Sequence, residues 1–546
     1  MPDYNVCIAG AAGDGVKDAG IVLARLFASM GYRTFVYQEY ESLIRGGHNA
    51  SIVRASDKEI HSHRYFYDAF ICLEDYVLKY HNGRLKGFLI YDSKFQCEYG
   101  NSFSIPMSQM VREEHQPAIF RNAVALGSFC YLAGIPLENL NEVFIREYGE
   151  KAKYDIILAR EGYEFAEKNF QQQLYVERMD GKKPVLSGNE VIALGMVKAG
   201  LKCYFAYPMT PTSPILHLLA KQKLGVKAVQ PESEIAAIMM AIGSAFAGKR
   251  SAVATSGGGF ALMTESISLA AMAEVPVLIV EGQRSAPSTG MATFTAQQDL
   301  DFVLHPAHGE FPLLVASPIT VSDSFYLAAE LLNLAWKFQT PSIMLTDKHL
   351  VESYETVDVD VSVVKEEKIE IYDEETEEIF PRFRITDSGV SPYAVPPAMV
   401  KANSNEHDEF GITTDDAEIA TAMYAKRMKK EEGIKKEVSE LEPYRLYGEG
   451  KDTIITWGSN FGAVYEVAEE LGYKVLAVRY LRPLILPELK GELIAVECNY
   501  SGLLARLVER EKGVRIRRVL RWDGRPFTPE ELQKSLGAVE GLEVVE

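Results

Sequence analysis

The sequence predicts an α/β protein of three α/β domains, with a long meander before the last. Three observations carry that prediction. Apolar, strand-like runs alternate with helical patterns, as in parallel sheets flanked by helices. The chain has 546 residues, too many for one hydrophobic core, and its length suggests roughly three domains. The alternation dissolves between residues 351 and 450 and then restarts. With 47% hydrophobic and 24% charged residues, the composition is that of an ordinary globular protein.

The first domain, 1–180, opens with a strand over Tyr4–Ala9, a glycine turn over Gly10–Gly15, a helix over Val16–Met30 and a strand over Arg33–Tyr37. That order looks like a dinucleotide fold, but the spacing is G-x-x-G-x-G and not G-x-G-x-x-G. Tight strand–helix packing explains such a cluster equally well. Gly13-Asp14-Gly15 also imitates the start of a thiamine diphosphate motif, whose aspartate would need an asparagine some way downstream. The first asparagine after it, Asn49, is too far along the chain, so the triplet reads as a decoy.

Gly181–Pro184 (GKKP) reads as a linker. The second domain, 188–350, starts with a helix from Gly188, a strand near Cys203 and a helix after Pro214. Strands follow at Val226–Val229, Ser251–Thr255 and Val275–Val280, with helices from Glu232 to Ala247 and after a turn at Gly257–Gly259. That turn lacks the Gly-Lys-Ser/Thr ending of a P-loop. In the meander, 351–450, an acidic run from Glu366 to Glu378 and proline-broken segments precede a basic helix around Lys426–Lys436. Charge runs of this kind read as solvated faces. The last domain, 451–546, has a strand at Thr453–Thr456, a helix at Gly462–Leu471 and a strand at Lys474–Val478.

The net charge of −19 argues against nucleic-acid binding, because a phosphate backbone demands a basic surface, and against anionic membranes. The start, MPDYNVCIAG, shows no signal peptide and no stretch suits a membrane span, so a cytoplasmic protein is expected. The six cysteines are scattered singly with no Cys-x-x-Cys. An iron–sulfur cluster or zinc site held by this chain alone is therefore not expected.

Two loops leave the ends of predicted strands: Tyr207-Pro-Met-Thr-Pro-Thr-Ser-Pro214 and Gln283-Arg-Ser-Ala-Pro-Ser-Thr-Gly290. Ligands sit beyond such strand ends in parallel sheets. Hydroxyls with an arginine suit a small carboxylate, which a guanidinium grips with two parallel hydrogen bonds. Residue types alone still favour two proline-stiffened loops and a surface Arg284. Glu234 has a similar double reading. It complements a helix dipole in the first turn, or it lies buried against a heteroaromatic ring and shares a proton with a ring nitrogen.

Taken together, these motifs resemble the fused γ–α subunit of the 2-oxoacid:ferredoxin (2-oxoacid:acceptor) oxidoreductases, over nearly the whole chain. The γ-like part is carried by Gly10–Gly15, Ser42–Asn49 (SLIRGGHN) and Asn122–Gly127. The part similar to the family's pyrimidine-side thiamine diphosphate domain is carried by YPMTPTSP, Glu232–Ala237, Thr255–Phe260 and Gln283–Leu300. His407-Asp408-Glu409 with Gly411, and Glu497–Arg506 in a transketolase C-terminal-like domain, extend it.

The resemblance implies roles. Glu234 would be the catalytic glutamate that contacts the aminopyrimidine, with Gly257, Gly258 and Gly259 beside the cofactor. Tyr207, Thr210, Arg284 and Thr293 would line the substrate site, Arg284 clamping the carboxylate. Arg45, Gly46 and Gly47 would form a γ-domain loop that helps bind coenzyme A. Met209, Gly258, Ala286 and Ala292 depart from the family's usual isoleucine, proline, glycine and proline, which bears on substrate preference more than on reaction type. This chain would hold no metal. A separate β subunit would bring the diphosphate half of the site, Mg²⁺ and a [4Fe–4S] cluster in an αβ or (αβ)₂ assembly. The implied reaction is coenzyme A-dependent oxidative decarboxylation of 2-oxoglutarate, pyruvate or a broad range of 2-oxoacids, with ferredoxin as acceptor. A thiamine diphosphate-dependent transferase or non-oxidative decarboxylase is the alternative, and a nucleotide-binding regulatory or scaffold protein a third.

Overall fold

The computed structural model describes residues 2–43 and 46–537. They fall into two compact units, one of residues 2–187, 352–358 and 527–537, the other of residues 188–351 and 359–526. Both are α/β, as the sequence predicts. No helix among the described residues is long and apolar enough to cross a membrane.

The first unit is built on an eight-stranded sheet. Its order is Ser102–Ile105, Leu85–Asp92, Tyr67–Cys72, Asp3–Ala12, Gly46–Ser56, Arg33–Tyr40, Tyr354–Thr356 and Val185–Ser187. The first four run parallel, and the remaining pairings are antiparallel. This corrects the dinucleotide-like reading. Gly46–Ser56 lies antiparallel between Asp3–Ala12 and Arg33–Tyr40, so the first two strands are not the adjacent parallel pair of a nucleotide-binding βαβ unit. Asp14 is spent on the turn itself. It accepts from the Ala11 amide at 2.9 Å and pairs with the buried Arg121 at 2.9 Å.

The second unit holds a seven-stranded sheet and a five-stranded sheet. The larger runs Tyr480–Arg482, Leu314–Ala316, Pro341–Asp347, Val277–Gln283, Ser251–Thr255, Cys203–Phe205 and Lys227–Val229. Only the edge strand Tyr480–Arg482 is antiparallel to its neighbour. Val277–Gln283 is buried along its entire length, as a strand covered by helices on both faces must be. The smaller sheet, Tyr444–Tyr447, Lys474–Val478, Thr453–Thr456, Leu493–Glu497 and Arg517–Leu520, is parallel apart from its first strand.

Within 351–450 the chain forms a 24-residue helix, Ala417–Glu440, capped by Asp416. Its charges are not all solvated, contrary to the sequence reading. Lys426 and Lys430, one helical turn apart, share an inward face with Met423, Ile434 and Val438. Their ammonium groups meet the buried carboxylate of Glu274 at 2.5 and 2.6 Å. Arg382 donates to the Glu274 carbonyl at 2.9 Å and to Gln339 at 2.8 Å. Burial opposes ionisation of Glu274, yet the two lysines outweigh it and draw the carboxyl down to about 2. The run looked exposed because its one anionic partner lies far away in sequence.

Candidate functional site

Four neighbouring parallel strands of the second unit, Pro341–Asp347, Val277–Gln283, Ser251–Thr255 and Cys203–Phe205, end at the same side of the sheet. The segments that leave three of them carry Tyr207, Thr210, Gly257–Gly259, Arg284 and Thr293, while Glu234 follows the neighbouring strand Lys227–Val229. After Cys203–Phe205 comes the loop from Tyr207 to Pro214. It is stapled by Asn189, whose amide donates to the Pro211 carbonyl at 3.0 Å, and by the buried Thr212, whose hydroxyl donates to the Thr255 carbonyl at 3.3 Å. Leaving Val277–Gln283, Arg284 donates from its guanidinium to the Thr210 carbonyl at 3.1 Å. Both loops singled out from the sequence are thus joined by a direct bond. It is the one hydrogen bond of that guanidinium among the described residues, which leaves further donors for an anion.

Gly257–Gly259 is not a turn ahead of a helix, as the sequence suggested, but the first turn of the helix Gly257–Met272. Glu234 opens the helix Glu234–Phe246 behind the N-cap Ser233, whose side chain accepts from the Ala236 amide. The Glu234 side chain is only 5% exposed and makes no hydrogen bond among the described residues. It packs against Gly259. A Cβ at that position would lie 2.0 Å from Thr255 Oγ1 and 2.7 Å from Glu234 Cγ. Nothing larger than glycine fits there without displacing these side chains, and the buried carboxylate keeps its acceptor atoms unspent.

A cleft of about 570 Å³ opens beside these groups, lined among others by Gly257, Gly258, Arg284, Asp299, Asn499 and Tyr500. Thr210, Thr293, Glu234 and Gly259 do not line it; Thr293 is buried within its loop, and Tyr207 is 40% exposed outside. Gly46 and Gly47 begin the strand Gly46–Ser56 of the first unit, where Tyr76 donates to the Gly47 carbonyl at 2.8 Å. Arg45 lies outside the described residues.

Sequence reasoning missed a layer of buried polar groups beneath the cleft. Glu281 is fully buried with neither carboxylate oxygen hydrogen-bonded. Desolvation, with Asp299 adding and Arg284 opposing, holds its carboxyl well above the ordinary carboxylate range. Burial also pushes Asp299 up to about 6. Asp347 is raised by burial despite accepting from the Leu350 and Ser459 amides and the Thr295 hydroxyl. Gln297 is a hub. Its amide nitrogen donates to the Trp457 carbonyl at 2.9 Å, and its oxygen accepts from Asn460 at 2.5 Å and from the Cys498 amide at 3.1 Å. The segment that carries Thr293 is thereby bound to the smaller sheet's domain. An acid placed directly after the apolar run Val277–Val280, still within the buried strand, was the signal for Glu281; nothing local marks Gln297.

Two further motifs supply structural anchors, and the second also sends Asn499 and Tyr500 to the cleft. In His407-Asp408-Glu409, His407 is buried against Phe383, Asp408 accepts from the Phe410 and Ile412 amides, and Glu409 accepts from the Ile385 amide. Glu497 accepts from the amides of Leu504 and Ala505 at 2.8 and 3.0 Å and so fastens the start of the helix Leu503–Lys512. Among the described residues, no group of three or more His, Cys, Asp or Glu could hold a metal ion.

Known proteins match this geometry. The family described as pyruvate flavodoxin/ferredoxin oxidoreductase, thiamine diP-binding, matches residues 194–426, and that described as pyruvate ferredoxin/flavodoxin oxidoreductase matches residues 5–165. A 2-oxoacid:ferredoxin oxidoreductase subunit alpha from Sulfolobus sp is 30% identical over 97% of this chain and 96% of its own. The 2-oxoglutarate oxidoreductase subunit KorA of Mycobacterium tuberculosis is 30% identical over 77% of this chain and 68% of its own. Among solved structures, the 2-oxoglutarate:ferredoxin oxidoreductase from Magnetococcus marinus with 2-oxoglutarate, coenzyme A and succinyl-CoA bound superposes with a TM-score of 0.87 at 28% identity, covering 98% of this chain and 99% of that one.

Proposed function

Because the chain belongs to the 2-oxoacid:ferredoxin oxidoreductase family, as an α-type subunit, we propose that the second unit supplies the substrate-binding and proton-handling half of that enzyme's site. The enzyme carries out coenzyme A-dependent oxidative decarboxylation of a 2-oxoacid and passes the electrons to ferredoxin. The observation that carries the assignment of residues is the bond from Arg284 to the Thr210 carbonyl at 3.1 Å, which aims an otherwise unspent guanidinium into the cleft.

Thiamine diphosphate, when bound, would supply a nucleophilic carbon and a store for the electron pair left behind when CO₂ departs. The chain's own residues do the rest. Arg284 takes the substrate carboxylate through two parallel N–H donors and orients the keto carbon. Glu234, buried and unpaired, accepts a hydrogen bond from the aminopyrimidine and exchanges a proton with its ring nitrogen. Gly259 lets the glutamate and the ring approach each other. Gly257 and Gly258 present backbone to the cofactor, and Thr210 and Thr293 hold the walls of the substrate loop. Gly46 and Gly47, with Arg45, serve coenzyme A.

The diphosphate, Mg²⁺ and a [4Fe–4S] cluster belong on a partner β subunit. The surface beside Glu234 supports that partner. Ile235, Met239 and Met240 on one helix and Leu262 on the next are 41–52% exposed, an apolar face that suits burial against another chain. The substrate range runs over 2-oxoglutarate, pyruvate and related 2-oxoacids.

The test is to purify the complex through a tag on this chain and assay viologen reduction with coenzyme A and pyruvate, 2-oxoglutarate or 2-oxobutyrate. A brown complex with a smaller second subunit and 2-oxoacid-dependent reduction is expected. Continued inactivity after co-expression with a matched β subunit would overturn the reading.

A further inference from the structure

Arg284 and Asp299 are the two charged side chains lining the cleft, the third titratable group there being Tyr500. Asp299 is fixed from its backbone. Its amide donates to Gln283 Oε1 at 3.0 Å, and its carbonyl accepts from the Val303 amide at 2.9 Å in the helix Leu300–Leu304. Its carboxylate is not fixed by any hydrogen bond or ion pair among the described residues. It lies against Gly257, where a Cβ would come within 2.8 Å of Oδ2. From the strand behind it comes Glu281, fully buried and without hydrogen-bond partners, and from the next strand Asp347. The first turn of the helix Gly257–Met272 offers no titratable side chain. Asp301, beyond Asp299, faces Arg506 at 3.7 Å on the outside.

We infer that Asp299 takes up a proton when the substrate carboxylate settles on Arg284, and that it thereby sets how affinity for the 2-oxoacid changes with pH. This rests on the functional reading above and deepens it. Before substrate enters, the charged side chains lining the cleft are one cation and one anion, Arg284 and Asp299, which form no ion pair with each other. The substrate adds a second anion to a partly enclosed site that has no second cation from this chain. Protonating one carboxylate restores the balance. Glu281, fully buried with both oxygens unpartnered and its carboxyl held well above the ordinary range, already favours its neutral form. Asp299 is exposed enough to exchange with solvent and buried enough to be near its titration point; burial holds it at about 6, and an arriving carboxylate moves it higher. The proton comes from solvent on binding and returns when the site empties. Affinity is therefore greatest below about pH 6 and declines as pH rises through the bound-state value.

Isothermal titration calorimetry of the purified complex tests this, with the unreactive amide analogue of whichever 2-oxoacid supports viologen reduction as the probe: N-oxalylglycine for 2-oxoglutarate, oxamate for pyruvate. Titrations near pH 6.5 in buffers of different ionisation enthalpy count the protons. Wild type is expected to take up about 0.4 of a proton per site, the amount that a fivefold coupling allows. Asp299→Asn is expected to take up none, to bind the probe about fivefold more tightly near pH 8, and to lose the pH dependence. Binding without proton uptake in wild type would overturn the inference while 2-oxoacid-dependent viologen reduction still upheld the functional reading. Unchanged uptake in Asp299→Asn would overturn it as well. The wild-type proton count stands by itself if the variant folds poorly.

Discussion

Two glutamates beside one strand meet opposite fates. Glu274 precedes Val277–Gln283, and Glu281 lies within it. Both are buried. Glu274 faces two lysines and a buried arginine, and its charge is held firmly. Glu281 faces Asp299 and Asp347, with Arg284 its one attractive charge, and its charge is suppressed. Partners, not burial, decide whether a buried acid is an anion. The strand's entrance serves cohesion and its exit serves chemistry.

The sharpest break of this contrast is Glu274→Ala, which strands Lys426 and Lys430 in the interior. A loss of about 3–5 kcal/mol in stability is expected, read by denaturant unfolding at pH 7. Glu274 sits below its unfolded value, so its contribution is present above about pH 4.5 and fades as pH falls towards about 2. The gap between wild type and variant should narrow over that range; a constant gap would mean packing and not charge is responsible.

At the other end of the strand, Arg284→Ala should cost activity and spare the fold. A fall of about 10²–10³-fold in kcat/KM for the 2-oxoacid is expected, with denaturant midpoints close to wild type. A matching loss of stability would move Arg284 into the structural half of the comparison.

Gly259→Ala should cost about tenfold or more in kcat, because the new methyl displaces Thr255 and Glu234 by overpacking. A reduced affinity for thiamine diphosphate, read by protein fluorescence quenching, would trace the loss to Glu234's position. Unaltered affinity and turnover would show that the close approach is relaxed in solution.

The smallest effect is expected for Glu281→Gln. Its carboxyl is held well above the ordinary carboxylate range, so an isosteric amide should change stability by about 1 kcal/mol or less. A loss comparable with that of Glu274→Ala would show that Glu281 is ionised and would erase the contrast.

The same contrast separates what the sequence reveals from what it hides. The strands Ser251–Thr255, Thr453–Thr456 and Lys474–Val478 were legible to the residue, because apolar runs bounded by turns are local signals. Arg284 and Thr210 were legible as loop residues at strand ends, and they are bonded to each other. The ionic clasp was not, since Lys426 and Lys430 acquire meaning only from Glu274. Gln297 was equally silent, because its partners Trp457, Asn460 and Cys498 belong to the last part of the chain. Local pattern records which face is apolar, whereas buried polar networks are agreements between distant segments.

The sheet of the first unit raises a question of timing. Its strand Tyr354–Thr356 lies next to the edge, pairing with Arg33–Tyr40 on one side and with the edge strand Val185–Ser187 on the other. Arg64 and the Tyr65 amide lean on Glu530. A ribosome releases the first part of this sheet long before those later segments exist. The nascent chain must hold an open strand edge at Arg33–Tyr40 while most of the second unit is being made. A fragment ending near residue 187 would keep that edge exposed for good, so attempts to produce the amino-terminal unit alone should yield material prone to aggregate unless residues 352–358 are supplied in trans.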